Sequence, residues 1–197
     1  VRATVDGEAG SRGVDGRDTT NFAPRDILDA GVAYVPTRRN IFPELRVVHN
    51  LELGAVALKD QASVPDRVTA IMQRFPMLKE KARAQASTLS GGQQKILEVA
   101  RSLLLEPKLL LIDEPSIGLS PLMVLEVFGI LKGLRDKGVT ILLIEQNAKQ
   151  ALQMSDYGLV LEQGQTRIED TAPGILADKR IVQLFLGGGL EPVAAAS

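Results

Sequence analysis

The sequence contains no cysteine, and His49 is its single histidine. Neither a disulfide nor a thiolate metal site can form, and a multi-histidine metal site is excluded. The missing thiols fit a reducing compartment. Long apolar runs are also absent. No stretch reaches the roughly 18 residues needed to span a bilayer. The richest region, Leu103 to Leu134, is interrupted by Glu106, Pro107, Lys108, Asp113, Glu114 and Pro115. The first residues, Val1-Arg2-Ala3-Thr4-Val5-Asp6-Gly7-Glu8, carry no apolar core of the signal-peptide kind. Membrane association is therefore expected only through a partner. Excess charge is missing as well: the net charge is -1, which gives no electrostatic footprint for nucleic acid. What is present is ordinary for one globular domain: 197 residues, 45% hydrophobic and 24% charged.

Along the chain, residues 1–20 are rich in Gly, Asp, Arg and Thr. They predict turns and short edge strands, with Asp15-Gly16 as a hairpin signal. Gly31-Val32-Ala33-Tyr34-Val35-Pro36 predicts a strand ended by proline. Residues 44–88 predict a helical subdomain, with Val68, Ile71, Met72 and Phe75 at helical spacing and Pro65 and Pro76 as punctuation. His49 falls in this region and reads as a surface or half-buried helix residue. Gly91 to Leu105 predicts a helix and Leu109 to Ile112 a buried strand. Ser120 to Lys137 predicts a second helix, with Ser120 as cap, Pro121 in the first turn and Gly138 at the close. Thr140 to Ile144 predicts another buried strand. Such alternation argues for an α/β fold with a mostly parallel sheet covered on both faces. Gly158 to Leu161, Gln163-Gly164 and Thr166 to Ile168 predict a closing hairpin, and the 191–197 tail is expected to be disordered.

Two motifs carry chemistry. Leu89-Ser90-Gly91-Gly92-Gln93 leads directly into an amphipathic helix. Glycines let a phosphate approach the backbone, and the helix start offers unpaired N–H groups and the positive dipole end. Ser90 and Gln93 also fit a capping box. Local physics leaves both readings open, anion site or plain cap. The second motif is Leu109-Leu110-Leu111-Ile112-Asp113-Glu114-Pro115. It sets two carboxylates at the C-terminal end of a buried strand, where open α/β sheets bind ligands. Asp113 suits Mg²⁺, held through water, and Glu114 suits a general base that polarises a water. An acidic loop capping the next helix is the alternative, and the spacing of the two motifs counts against it.

Together these motifs resemble the ABC ATPase superfamily. Ser90, Gly91, Gly92 and Gln93 match its signature, Asp113 and Glu114 its Walker B pair, and Pro115-Ser116-Ile117-Gly118-Leu119-Ser120 the loop that crosses its dimer interface. Ile144-Glu145-Gln146-Asn147-Ala148-Lys149-Gln150-Ala151-Leu152 looks like the second ATP-binding subunit of branched-chain amino-acid importers. So do Ile41-Phe42-Pro43, Glu114 to Pro121 and Leu184-Phe185-Leu186-Gly187-Gly188. The resemblance spans about residues 10–188. It implies a P-loop NTPase-like fold, ATP and Mg²⁺ as ligands, and uptake of branched-chain amino acids or related amides and urea. It also implies a second ABC ATP-binding subunit (a homologue or a second copy), two transmembrane permease subunits and a periplasmic or extracellular binding protein. The resulting place is the cytoplasmic face of the plasma membrane, peripherally bound. DNA-repair and translation relatives carry long coiled coils or a second ATPase copy, neither of which is visible here.

Three departures stand out. Gln146 occupies the position of the switch histidine that contacts the γ-phosphate, and glutamine is common there in this subfamily. Thr37 stands where the family has a glutamine that reaches Mg²⁺ and the membrane subunit, so it would reach only through a water. Finally, the sequence has no Gly-Lys dipeptide, which the phosphate-binding Walker A loop requires. By family order that loop, the adenine-stacking strands and a central strand would precede residue 1. Two explanations follow: an incomplete record of a working subunit, or a non-catalytic module. Loss of a central strand exposes an unpaired edge and apolar faces. The residues 1–197 alone are therefore expected to be marginally stable. A cooperative thermal transition in the ordinary mesophile range, followed by circular dichroism, would reject that expectation.

Overall fold

The computed structural model describes residues 3–6, 11–14 and 16–178. Asp15, Leu184 to Gly188 and the 191–197 tail lie outside the described residues. The chain divides into two compact units, residues 1–144 and 145–197.

In the first unit the turn-rich start forms an antiparallel sheet of β1 (Ala3–Asp6), β2 (Ser11–Val14) and β3 (Arg17–Asp18), paired in that order. Gly16 turns between β2 and β3 at φ +75°, which glycine adopts without a Cβ penalty. A short helix, α1 (Pro24–Asp29), leads to β4 (Val32–Val35), the strand predicted ahead of Pro36.

Region 44–88 holds three α-helices, α2 (Val47–Gly54), α3 (Val64–Arg74) and α4 (Pro76–Glu80), with 3₁₀ turns at Gln61–Ser63 and Ala86–Thr88. The prolines set the breaks, because a helix interior needs the N–H that proline lacks. Val68, Ile71 and Phe75 are buried, while His49 is exposed on α2. Helix α2 has no side-chain cap. The carbonyls of Ala84 and Ala82 accept instead from the Val47 and Val48 N–H groups, at 3.0 and 3.1 Å. Asn50, buried on α2, accepts from the Phe42 N–H and donates to the carbonyls of Phe42, Leu45 and Arg46. Its amide binds the 42–46 segment to the helix, as buried amides must find partners.

Helix α5 (Gly91–Ser102) is shorter than the sequence suggests. Its end tightens into a 3₁₀ turn over Leu103–Leu105, closed by Glu106 at φ +49°. Strand β5 (Leu109–Asp113) follows, then α6 (Pro121–Arg135) and β6 (Thr140–Ile144). Ser120 precedes α6 with extended backbone, but its side chain makes no capping bond, contrary to expectation. Gly138, at φ +89°, closes the helix by donating to the Arg135 carbonyl at 2.8 Å.

The sheet order is β4-β5-β6, all parallel, with α5 packed on β4 and α6 on β6. Side chains alternate between faces. Ala33, Val35, Leu110 and Ile112 point one way and are buried. Tyr34, Leu111 and Leu142 form a cross-strand row on the other face, continued by Ile144. Tyr34, Leu142 and Ile144 are exposed. Coverage on both faces therefore fails along this row. Strand β6 is half-exposed rather than buried because Leu142 and Ile144 lie on this uncovered face.

The second unit holds α7 (Ala148–Met154), β7 (Tyr157–Glu162), β8 (Gln165–Thr171) and α8 (Ala172–Ala177). Strands β7 and β8 make the predicted hairpin. Gln163 and Gly164 turn at φ +51° and +77°, the signs of a type I′ turn. Asn147 caps α7 and Thr171 caps α8. Leu152, Ala172 and Ile175 form the core of this unit. Among the described residues no helix is long and apolar enough to cross a membrane.

Leu110 is fully buried in the middle strand, whereas Leu142 is 52% exposed. Leu110→Ala should lower unfolding free energy by about 2–5 kcal/mol. Leu142→Ala should change it by about 0.5 kcal/mol or less. Urea denaturation of both variants checks this, and equal losses would contradict the one-face packing.

Candidate functional site

The start of α5 is built by its own sequence. The N–H of Gln93 donates to Ser90 Oγ at 3.3 Å, and the N–H of Ser90 donates to Gln93 Oε1 at 3.1 Å. The capping box read from the sequence is thus formed. Ser90 is exposed and Gly91 half-exposed, so the helix start faces solvent. The two glycines differ in what they permit. A Cβ at Gly92 would lie 2.4–2.9 Å from Met123, so the side chain of α6 occupies that space. A Cβ at Gly91 would meet only ordinary contacts, Arg39 Nη2 at 3.5 Å and Leu119 at 3.9 Å. Gly92 is therefore needed for helix packing, and Gly91 keeps the backbone approachable. Arg39 brings a guanidinium beside a dipole end that already favours anions.

Asp113 ends β5 and is half-buried. Glu114 follows at φ +43°, a left-handed conformation that costs a side-chain-bearing residue roughly 1–2 kcal/mol. Its N–H donates to the Ile144 carbonyl at 2.8 Å, which fixes this peptide between β5 and β6. Beyond it, the Ile117 N–H donates to the Glu114 carbonyl and the Leu119 N–H to the Ser116 carbonyl. Gly118, at φ +69°, completes the turn. Non-glycine left-handed residues cluster at functional sites, where surrounding structure over-determines them.

Thr37 lies half-buried just past β4. Because Val35 pairs with Ile112, the chain leaves β4 beside the end of β5 that carries Asp113. The fold therefore brings the Thr37 segment and the carboxylates to one sheet edge. Gln146 belongs to the second unit, exposed, with its N–H donating to Glu145 Oε1 at 3.1 Å.

Sequence reasoning missed the buried polar residues of α5. Lys95 and Glu98 form an ion pair at 2.8 Å with side chains 6% and 2% exposed. Lys95 Nζ also donates to the Pro36 carbonyl at 3.1 Å, and the Asn40 N–H donates to Glu98 Oε1. Glu98 Oε2 has no aligned hydrogen-bond donor among the described residues and faces the Lys95 ammonium. Removing one partner of such a pair costs about 3–5 kcal/mol, because the other charge stays buried. Their i,i+3 spacing inside an apolar run was the available signal. Next to them, burial lowers the Arg101 guanidinium from its ordinary value, against the opposing pull of the Glu98 carboxylate. Arg101 also lies over the Phe42 ring, 6.0 Å from its centre.

Comparison with known proteins identifies the family. The family model described as ABC transporter matches residues 2–117. The chain is 37% identical over 180 residues to the high-affinity branched-chain amino acid transport ATP-binding protein BraG of Pseudomonas aeruginosa, covering 91% of this chain and 77% of that protein. It is 34% identical over 175 residues to the probable branched-chain amino acid transport ATP-binding protein LivF of Archaeoglobus fulgidus, covering 88% and 74%. A crystal structure of a nucleotide-free ATP-binding cassette from an ABC transporter superposes with a TM-score of 0.74 at 26% identity, covering 91% of this chain and 78% of that one. The chain belongs to the ABC transporter family, as an ATP-binding cassette of α/β architecture. Within that family it is an ATP-binding subunit of the transport ATPase class, with relatives named for branched-chain amino-acid transport.

Ser90→Ala should cost about 1 kcal/mol through the lost cap, and Ser90→Gly only a few tenths. Equal costs in chemical denaturation would mean that the Ser90 hydroxyl does not stabilise α5.

Proposed function

We propose that this chain is the ATP-hydrolysing subunit of an importer for branched-chain amino acids, or for related amides or urea. It pairs with a second ABC ATP-binding subunit and docks on two transmembrane permease subunits, which a binding protein feeds. It would therefore work peripherally at the cytoplasmic face of the plasma membrane. Residues 44–88 act as a helical subdomain within one nucleotide-binding domain.

The observation that carries the reading is the Asp113–Glu114 pair. Two carboxylates sit at a parallel strand end, and the second is held at φ +43° by its bond to the Ile144 carbonyl. Asp113 and the Thr37 segment lie at the same end of paired strands, and a carboxylate and a hydroxyl are hard oxygen donors of the kind Mg²⁺ takes. In this reading Asp113 would hold the ion through water, and Thr37 would reach it only through a water. Bound there, Mg²⁺ neutralises charge on the phosphates of ATP. Glu114 accepts a proton from the attacking water and aims it by its fixed backbone. Gln146 donates its amide N–H to phosphate or orients that water. Ser90, Gly91, Gly92 and Gln93 present a hydroxyl, backbone N–H groups and the helix dipole to the γ-phosphate of ATP held by the opposite subunit. Closing the pair around ATP and reopening it after hydrolysis would alternate access in the membrane part.

The full-length protein with its partner subunit should hydrolyse ATP, and Glu114→Gln should lower kcat by about 10²–10⁴-fold. An unchanged rate would reject the role of Glu114. The chain would then be a non-catalytic module that offers Ser90–Gln93 to a complete partner.

A further inference from the structure

We infer that Lys95 and Glu98 are positioning residues that make the Pro36–Asn40 segment and the start of α5 move as one body. The inference rests on the roles given above to Thr37 and to Ser90–Gln93. The two side chains leave α5 less than two turns after the capping box. They reach the loop beyond β4 at both its ends. Lys95 Nζ holds the Pro36 carbonyl, immediately before Thr37. Glu98 Oε1 holds the Asn40 N–H, three residues after it. Thr37 is thus bracketed by two backbone anchors on one helix. A buried ion pair is an expensive way to fill a core, since apolar side chains of similar volume stabilise as well or better. Its distinctive property is that each charged group also bonds one defined backbone atom. Displacement of α5 toward or away from a phosphate is thereby transmitted to the segment carrying Thr37. Such a link keeps two elements that act on the same nucleotide-bound state in register.

The test uses the full-length protein in its transporter complex. The double variant Lys95→Met with Glu98→Leu fills the space without either anchor and is expected to keep its melting temperature. Hydrogen exchange of the Thr37–Asn40 amides should quicken at least about tenfold, with α5 amides unchanged. The kcat for ATP should fall about tenfold with KM unaltered. Glu98→Gln, which keeps an oxygen for the Asn40 N–H but strands the Lys95 charge, should lower the melting temperature yet retain most of the turnover below it. Unchanged exchange in the loop overturns the tether. Faster exchange with undiminished kcat, or a change in KM alone, overturns the positioning role. Where the double variant does not fold, Lys95→Met with Glu98→Gln, which strands no charge and keeps an oxygen for the Asn40 N–H, carries the same test at the Pro36 end.

The functional reading fails separately, when Glu114→Gln turns over ATP like the unaltered protein. The tether is then judged on exchange with and without MgATP. Slowing at 37–40 and 90–93 together, reduced to 90–93 alone in the double variant, supports it. Slowing at 90–93 alone in the unaltered protein overturns it.

Discussion

Helix α5 is enclosed on nearly every side. From Gly92 to Ala100 all but Gln93 are buried, and three of those residues are Gln94, Lys95 and Glu98. A helix so enclosed cannot leave these groups to water, and chosen neighbours bond all three side chains, although Gln94 Oε1 and Glu98 Oε2 have no hydrogen-bond donor among the described residues. Gln94 donates to the carbonyls of Ala86 and Leu89, while Lys95 and Glu98 share their charge and hold the loop beyond β4. Helix α2 packs on one side, α6 on another and β4 beneath. The position of the Ser90 cap is therefore dictated by the whole first unit rather than by the motif itself. A solvent-facing helix start gains precision from a buried body.

The same enclosure explains what could be read from residue order and what could not. The capping box, the β5 run, the Gln163-Gly164 turn and the close of α6 at Gly138 are local. Each rests on backbone preferences of a few neighbouring residues, so each was legible. Ser120 shows the limit of that legibility: the residue type and backbone suit a cap, yet the hydroxyl bonds nothing in the helix. The end of α5 is another case. Leu103–Leu105 continue the apolar pattern without a break, and only the packed structure tightens them into a 3₁₀ turn. Lys95 and Glu98 were not singled out because the backbone atoms they bond lie more than fifty residues away. Asn50 likewise serves carbonyls that no side-chain pattern reveals.

The site divides in the same way. Asp113, Glu114 and the Ser90–Gln93 segment were visible as motifs, and the fold adds their setting. Gly92 proves to be a packing residue pressed against Met123, whereas Gly91 leaves the backbone open. The pair of glycines in the motif thus has two separate causes. Arg39, unremarkable in the sequence, stands beside Gly91 only because β4 and α5 are neighbours.

Glu114 places two selective pressures in opposition. A glycine there would adopt φ +43° freely and relieve strain of roughly 1–2 kcal/mol, at the cost of the carboxylate. Stability alone would steer the position away from glutamate over many generations of drift. In the proposed reading, folding robustness is given up at this position for a charge in a fixed place.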